Sequence, residues 1–448
     1  MATILARALP PAARQRVLDR IVPFLAGATV LAFAAGSSSV PRATSVGHPF
    51  RWVLLVALLG AAALRSNWRA IPRTPLVAAA ALVGLAALST AWSVEPRTSF
   101  ERAVSLGLLF LTCLLLAAAV AGCRHRAEAL LAGVLGGAAA VGLLGLLVLA
   151  VDHAHAVESA TYQSPARFRG FGQDPNTVAL LFGVTTPLAV WAVLATRRRV
   201  LAASVLFLLV GTIVASGSRG ALVAGAAGAC VVIGARSGRS RRALVGVVAV
   251  AAIAVAGAAV QAIPSAAHVV NVSGPPPPGQ PKPNPGYLNG ELVYPLNADV
   301  GKPLPGGGQP FVTRSIFGSS GRVQAWEGTL HEVARRPVAG HGFGTEQAVF
   351  VDRYYSFVGG LPENSYIGLA LQLGALGIAA LVALVAALAL PAVRALRRSR
   401  NDLVAASLGV LVAGLVAAVV QSYLYSVGNI ATAALWIPVF LLPAVLDA

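Results

Sequence analysis

Hydrophobic residues in this chain come in continuous runs of lipid-spanning length, separated by short stretches rich in arginine. A bilayer core takes about 20 apolar residues per helical span, and the runs at 21–36, 52–64, 75–92, 104–122, 129–151, 177–196, 200–215, 220–235, 243–262, 364–390, 403–422 and 430–446 predict about twelve transmembrane helices. The 52–64 run is short, so it is read as a half-span or as extending into Arg65. The sequence shows no repeat at solenoid or propeller periods, and no matched pair of Gly/Pro-broken spans of the kind that marks an inverted-repeat transporter. The expected fold is an all-α integral membrane protein. Residues 1–263 hold helices 1–9, 264–363 form one large extracytoplasmic loop, and 364–448 hold the last three helices.

The polar intervals fix an orientation. With a cytoplasmic N-terminus, the inside loops carry Arg65, Arg69 and Arg73; Arg124 and Arg126; Arg197, Arg198 and Arg199; Arg236, Arg239, Arg241 and Arg242; and Arg394, Arg397, Arg398 and Arg400. Every dense cluster then obeys the positive-inside rule, which also puts the C-terminus inside. Arg7, Arg14, Arg16 and Arg20 ahead of 21–36 are read as the basic flank of an uncleaved first span rather than a signal peptide. The 264–363 loop opens on a Pro/Gly-rich lead-in at 274–286, expected to be extended. Its second half places Val323, Trp326, Leu330 and Val333 at helical spacing before Arg335, Arg336 and Pro337, which predicts an amphipathic helix resting on the membrane domain.

Composition agrees with lipid as the solvent. The 448 residues are 57% hydrophobic and 11% charged, whereas a soluble domain is about a quarter charged. A net charge of +18 would suggest nucleic acid in a soluble protein. Here membrane topology accounts for the arginines, and no nucleic-acid partner is expected. Cys113, Cys123 and Cys230 lie in or beside apolar runs; an odd number without loop spacing argues against a disulfide framework or a zinc site.

Polar groups on the outer side are not explained by that rule, and four stretches carry candidate chemistry. Arg167 and Arg169 precede Asp174, Pro175 and Asn176 at the start of span six, so arginines flank a helix N-terminus that attracts anions. Ser218, Arg219 and Gly220 form a tight outer turn where small neighbours admit a bulky headgroup to the arginine, or where the arginine snorkels. Arg322 opens the predicted loop helix, with Trp326 one turn on and Gly340, His341, Gly342 and Gly344 beyond Pro337. The alternating glycines lack the strand–helix context of a nucleotide fingerprint. Glu363, Asn364 and Ser365 enter span ten with Tyr366; a carboxylate there acts as a general base or as a helix-capping charge. Asp152, His153 and His155 have ligand chemistry but no partner cluster, so no metal site is assigned. Gln372, Gln421, Tyr423 and Asn429 are read as interhelical hydrogen-bond partners.

Taken in this order, the stretches resemble the O-antigen ligase and O-antigen polymerase family of bacterial membrane glycosyltransferases over roughly 160–390. Arg167, Gly170, Pro175 and Asn176 match a family element before a helix; Ser218, Arg219 and Gly220 match its Ser-Arg-Gly turn; Arg322, Trp326, Pro337, Gly340 and Gly342 match its loop pattern. The family usually carries His-Asn or His-Ser where this chain has Glu363 and Asn364. Either Glu363 replaces that base, or His341 does, or no strong base is needed.

The resemblance implies an undecaprenyl-diphosphate-linked glycan as donor, a glycan or lipid-glycan as acceptor, and the outer face of the bacterial cytoplasmic membrane as the location. It makes Arg219 and Arg322, supported by Arg167, the groups that stabilise the leaving diphosphate. Planar, always-charged guanidiniums suit that role without a metal or other cofactor. Arg169, Asn176, Ser218, Trp326, Asn364 and Tyr366 are the substrate-binding candidates. The alternatives are a transporter or flippase for a cell-envelope precursor, and a non-catalytic scaffold for envelope synthesis.

Overall fold

Helix ends follow the residues that satisfy free backbone groups. The computed structural model describes residues 10–158, 166–236, 286–288, 291–293, 322–350 and 361–446. The expected span at 243–262 and the Pro/Gly-rich lead-in at 274–286 lie largely or wholly outside them. Helices α1 (Pro11–Gly36), α2 (Pro41–Arg65), α3 (Arg73–Leu88), α4 (Pro96–Val120) and α5 (Arg124–Val151) fill the first third. A short helix α6 (His153–Ala156) and a two-strand ladder, β1 (Val157–Glu158) with β2 (Arg167–Phe168), lead to α7 (Pro175–Ala195), α8 (Arg199–Ser216) and α9 (Arg219–Arg236). A hairpin of β3 (Gly286–Leu288) and β4 (Glu291–Val293) precedes α10 (Arg322–Arg335) and α11 (Glu346–Phe350). Then come α12 (Ser365–Arg398), α13 (Asp402–Ala417) and α14 (Ile430–Phe440).

Among the described residues, nine helices are long and apolar enough to cross a membrane: α1 to α5, α7 to α9 and α12, with α13 and α14 shorter. Of the two readings of 52–64, the extension into Arg65 holds and the half-span does not: α2 ends at Arg65 and begins already at Pro41, 25 residues in all, because Pro at N1 starts a helix well before the apolar run does. Helix α7 is among the most buried, packed by α8, α9, α13 and α14. Small residues let these helices touch: Gly228 of α9 lies directly against the Gly409 carbonyl and Pro187, so a side chain there would displace backbone.

The arginine clusters gather at one end of the bundle. Asp19 accepts from Arg65 at 2.7 Å and pairs with Arg126 at 3.1 Å, tying α1, α2 and α5. Asp402 joins Arg124 (2.7 Å), Arg236 (3.0 Å) and the Trp191 indole (3.4 Å). Trp191 belongs to the C-terminal half of α7, so this end is opposite the Asp174 cap of the same helix.

The helix predicted in the outer loop is present as α10, and the segment after it does more than rest on the bundle. Helix α12 breaks at Gly374, with φ 60° and ψ −155°. Residues 337–342 fill the break: His341 and Gly342 donate to the Leu371 and Gln372 carbonyls at 3.0 and 2.9 Å, and Ala375 donates to Pro337 at 2.8 Å. Irregular backbone at membrane depth persists only where protein satisfies it. The same loop is bonded on its other side, where Trp92 donates to the Ala339 carbonyl (3.1 Å) and Phe343 donates to the Ser89 hydroxyl (2.9 Å).

Candidate active site

The two outer corners read from the sequence meet through one arginine. Asp174 caps α7, accepting from the Asn176 and Thr177 amides at 2.9 and 3.0 Å. Arg167, only 8% exposed, donates through Nε to the Ser216 carbonyl at the end of α8 (2.7 Å) and through a terminal nitrogen to Asn176 Oδ1 (2.6 Å). A cation on the last carbonyls of α8 complements its dipole. Burial pulls the Arg167 pKa below the ordinary arginine value, opposed by Glu158, Asp174 and Glu363. Gly217, at φ 65°, turns the chain so that Ser218 and Arg219 start α9 beside this corner.

Arg322 and Glu363 close the cluster from the other side. Arg322 Nε donates to Glu363 Oε2 at 2.8 Å, and a terminal nitrogen of the same guanidinium contacts that oxygen as well. Electrostatically Arg322 acts on both Arg167 and Arg219, and Asp174 and Arg167 act on Glu363. Burial pushes the Glu363 carboxyl up, and the Arg322 ion pair holds it back.

The turn that presents Glu363 is strained and held from several directions. Glu363 has φ 47°, the one described non-glycine residue in the left-handed region, which costs a side-chain-bearing residue about 1–2 kcal/mol. Trp326 donates its indole N–H to the Pro362 carbonyl at 2.8 Å, the Asn364 amide donates to Ser422 Oγ at 3.1 Å, and Ser365 donates to the Ala418 carbonyl at 2.8 Å. Asn364 then caps α12 through the Tyr366 and Ile367 amides.

Other candidates are placed elsewhere or occupied. Arg169 bonds the Gln173 and Gly172 carbonyls and Ser39, which makes it a brace for the loop before α7. His341 is buried with Nε2 3.1 Å from the Glu332 carbonyl. Tyr366 donates its hydroxyl to the Leu415 carbonyl at 2.7 Å. Asp152 caps α6 and meets His155 Nδ1 at 2.7 Å.

A buried carboxyl escaped the sequence reading. Glu346 accepts from Ser422 Oγ (2.8 Å), the Tyr425 hydroxyl (3.1 Å) and Gln372 Nε2 (3.2 Å). Burial drives its pKa up to about 7, partly opposed by the Ser422 and Tyr425 hydrogen bonds and by Arg102. Ser422 joins this network to the Glu363 turn, because its hydroxyl also receives the Asn364 amide. Glu346 stands in a polar stretch without a recognisable spacing, so only the α12 packing reveals it. Arg51 and Arg102, which border the 52–64 and 104–122 runs in the sequence, were likewise missed; the structure places them inside α2 and α4.

The O-antigen ligase family model matches residues 203–382. This segment is similar to the O-antigen ligase domain. It runs from α8 into α12 and takes in Ser218, Arg219, Arg322, Trp326, His341, Glu363, Asn364 and Tyr366, whereas Arg167, Arg169 and Asn176 precede it. The resemblance to the O-antigen ligase and polymerase superfamily is therefore carried by the half of the site that holds the ion pair. No curated protein matches the chain.

Proposed function

We propose that this membrane protein transfers or polymerises a glycan carried on undecaprenyl diphosphate at the face where Arg167, Arg219, Arg322 and Glu363 gather. The observation that carries the reading is the Arg322–Glu363 pair inside a cluster otherwise rich in guanidinium charge. Arg219 and Arg322 take the diphosphate of the donor, and Arg167 adds its field from behind. Glu363 is the general base.

The resting pair has a consequence for timing. While Arg322 holds Glu363, the carboxylate is a weakened base. A diphosphate entering the cluster competes for the same guanidinium, with more charge and more acceptor oxygens. Once Arg322 turns to it, the restraint on the Glu363 pKa is relieved and burial raises its basicity. Donor binding thereby readies the base.

An acceptor hydroxyl oxygen then bonds to the anomeric carbon while the bond from that carbon to the diphosphate oxygen breaks. The electron pair leaves with undecaprenyl diphosphate, and the hydroxyl proton goes to Glu363. Fixed donors facing the developing negative charge are commonly worth about 3–4 kcal/mol each.

Reconstitution tests the reading. Purified full-length protein in proteoliposomes, given an undecaprenyl-diphosphate-linked glycan and an acceptor glycan, is expected to release undecaprenyl diphosphate in step with glycosidic bond formation. Movement of the intact lipid-linked glycan across the bilayer with no bond formed would replace this reading with the transport one.

A further inference from the structure

A second pair of cations lies on the far side of the Glu346 network. Arg51, inside α2, is held by aromatic rings, its Cζ 5.4 Å from the Trp52 centroid and 6.0 Å from that of Phe33. Ring faces leave its N–H groups unused, and Nε is buried without a hydrogen-bond partner. The charge that acts on Arg51 is another cation, Arg102 of α4. Neither guanidinium forms a hydrogen bond or salt bridge with a described residue.

Cations inside spanning helices are costly, and two that repel each other are costlier, unless an anion joins them. The carboxyl that acts within this group is Glu346, itself engaged by Ser422, Tyr425 and Gln372. Glycines lie against both side chains. Gly428 leaves a terminal nitrogen of Arg51 3.9 Å from where a Cβ would stand, and Gly344 lets its loop pass directly over the Arg102 stem.

The position relative to the first cluster gives the pair meaning. From Glu363 the path runs through the Asn364 amide to Ser422, from Ser422 to Glu346, and from Glu346 to Arg102. The turn that carries the proposed base is thus linked to both groups of guanidinium charge.

We propose that Arg51 and Arg102 form a second anion subsite, which takes the phosphate or diphosphate of an acceptor molecule while Arg219 and Arg322 take that of the donor. The donor and acceptor roles rest on the transfer reading; the subsite does not. An acceptor with its own phosphate group is an amphiphile or glycan carried on a second polyprenyl phosphate or a phosphorylated lipid. Two forked guanidiniums match tetrahedral phosphate oxygens.

Calorimetric titration of the full-length protein in neutral-lipid nanodiscs with farnesyl diphosphate tests this. Wild type is expected to bind two equivalents. The Arg51→Gln/Arg102→Gln variant should keep one, and the Arg219→Gln/Arg322→Gln variant should keep the other. Arg102→Gln alone changes an exposed side chain, and should weaken one site at least tenfold with thermal stability unchanged.

Unaltered stoichiometry and affinity in both Arg102→Gln and the Arg51→Gln/Arg102→Gln variant would overturn the subsite. Loss of one equivalent there, with both retained in Arg219→Gln/Arg322→Gln, would uphold the subsite and remove the donor assignment instead. Inorganic diphosphate is the control for the source of the anion. Affinity at the Arg51 and Arg102 site at least tenfold below that of farnesyl diphosphate supports a membrane-borne acceptor, and equal affinity overturns that assignment.

Discussion

Charge placement at single residues decides what the outer site can do. Lysine keeps a positive charge but lacks the planar fork of arginine. Arg219→Lys and Arg322→Lys are therefore each expected to lower transfer at least tenfold while the protein stays inserted and abundant, measured as undecaprenyl diphosphate released per mole of protein. If the donor frees Glu363 from Arg322, the acid limb of kcat falls at a higher pH than that of kcat/KM, because the two report the complexed and the free enzyme. Coincident limbs would argue that Arg322 never leaves Glu363. Glu346 makes a separate prediction for stability. Its raised pKa means that the neutral carboxyl favours folding, in full below about 4.5 and lost as pH rises through about 7. The contribution is about 3 kcal/mol at most. The wild-type Tm should decline across that window, and Glu346→Gln should lack the decline. The arginines were legible because each stood beside a helix end or a small-residue turn. Glu346, Arg51 and Arg102 were not, because their significance lies in which helices pack together, and nothing local marks it.

Among the elements, the apolar runs located every described long helix, since lipid makes length and hydropathy sufficient signals. The break in α12 was invisible. Gly374 sits in an apolar stretch that reads as continuous helix, and only the 337–342 loop, which supplies the missing hydrogen-bond partners, makes a left-handed residue tolerable there. Gly374→Ala should destabilise the protein by about 2–4 kcal/mol, because a Cβ meets the Val338 backbone and the φ of 60° disfavours any side chain. Detergent-solubilised protein should show this as a lower Tm, with transfer lost as the loop carrying Trp326 and α10 detaches. An unchanged Tm would mean that the break is not fixed by that loop. The amphipathic α10 was foreseen from Trp326 and Leu330, but its task was not: the Trp326 indole holds the Pro362 carbonyl and with it the strained Glu363 turn.

At the scale of the whole molecule, arginine clusters at one end and the Arg322–Glu363 cluster at the other give the bundle its polarity. On the positive-inside rule we propose that the second end faces outward. In a background without Cys113, Cys123 and Cys230, a cysteine at exposed His331 should react with a membrane-impermeant maleimide in intact cells, and one at Arg197 only after permeabilisation. The reverse pattern would invert the molecule and remove the site from the outer leaflet. The central claim is that Glu363 serves as the base of a glycan transfer, and one rate tests it most directly. With donor saturating in proteoliposomes, single-turnover transfer by Glu363→Gln should fall by about 10²–10⁴ relative to wild type, because the amide keeps the size but accepts no proton. A loss of less than about threefold, with donor binding unchanged, would contradict the account and leave Glu363 as a charge at the mouth of α12.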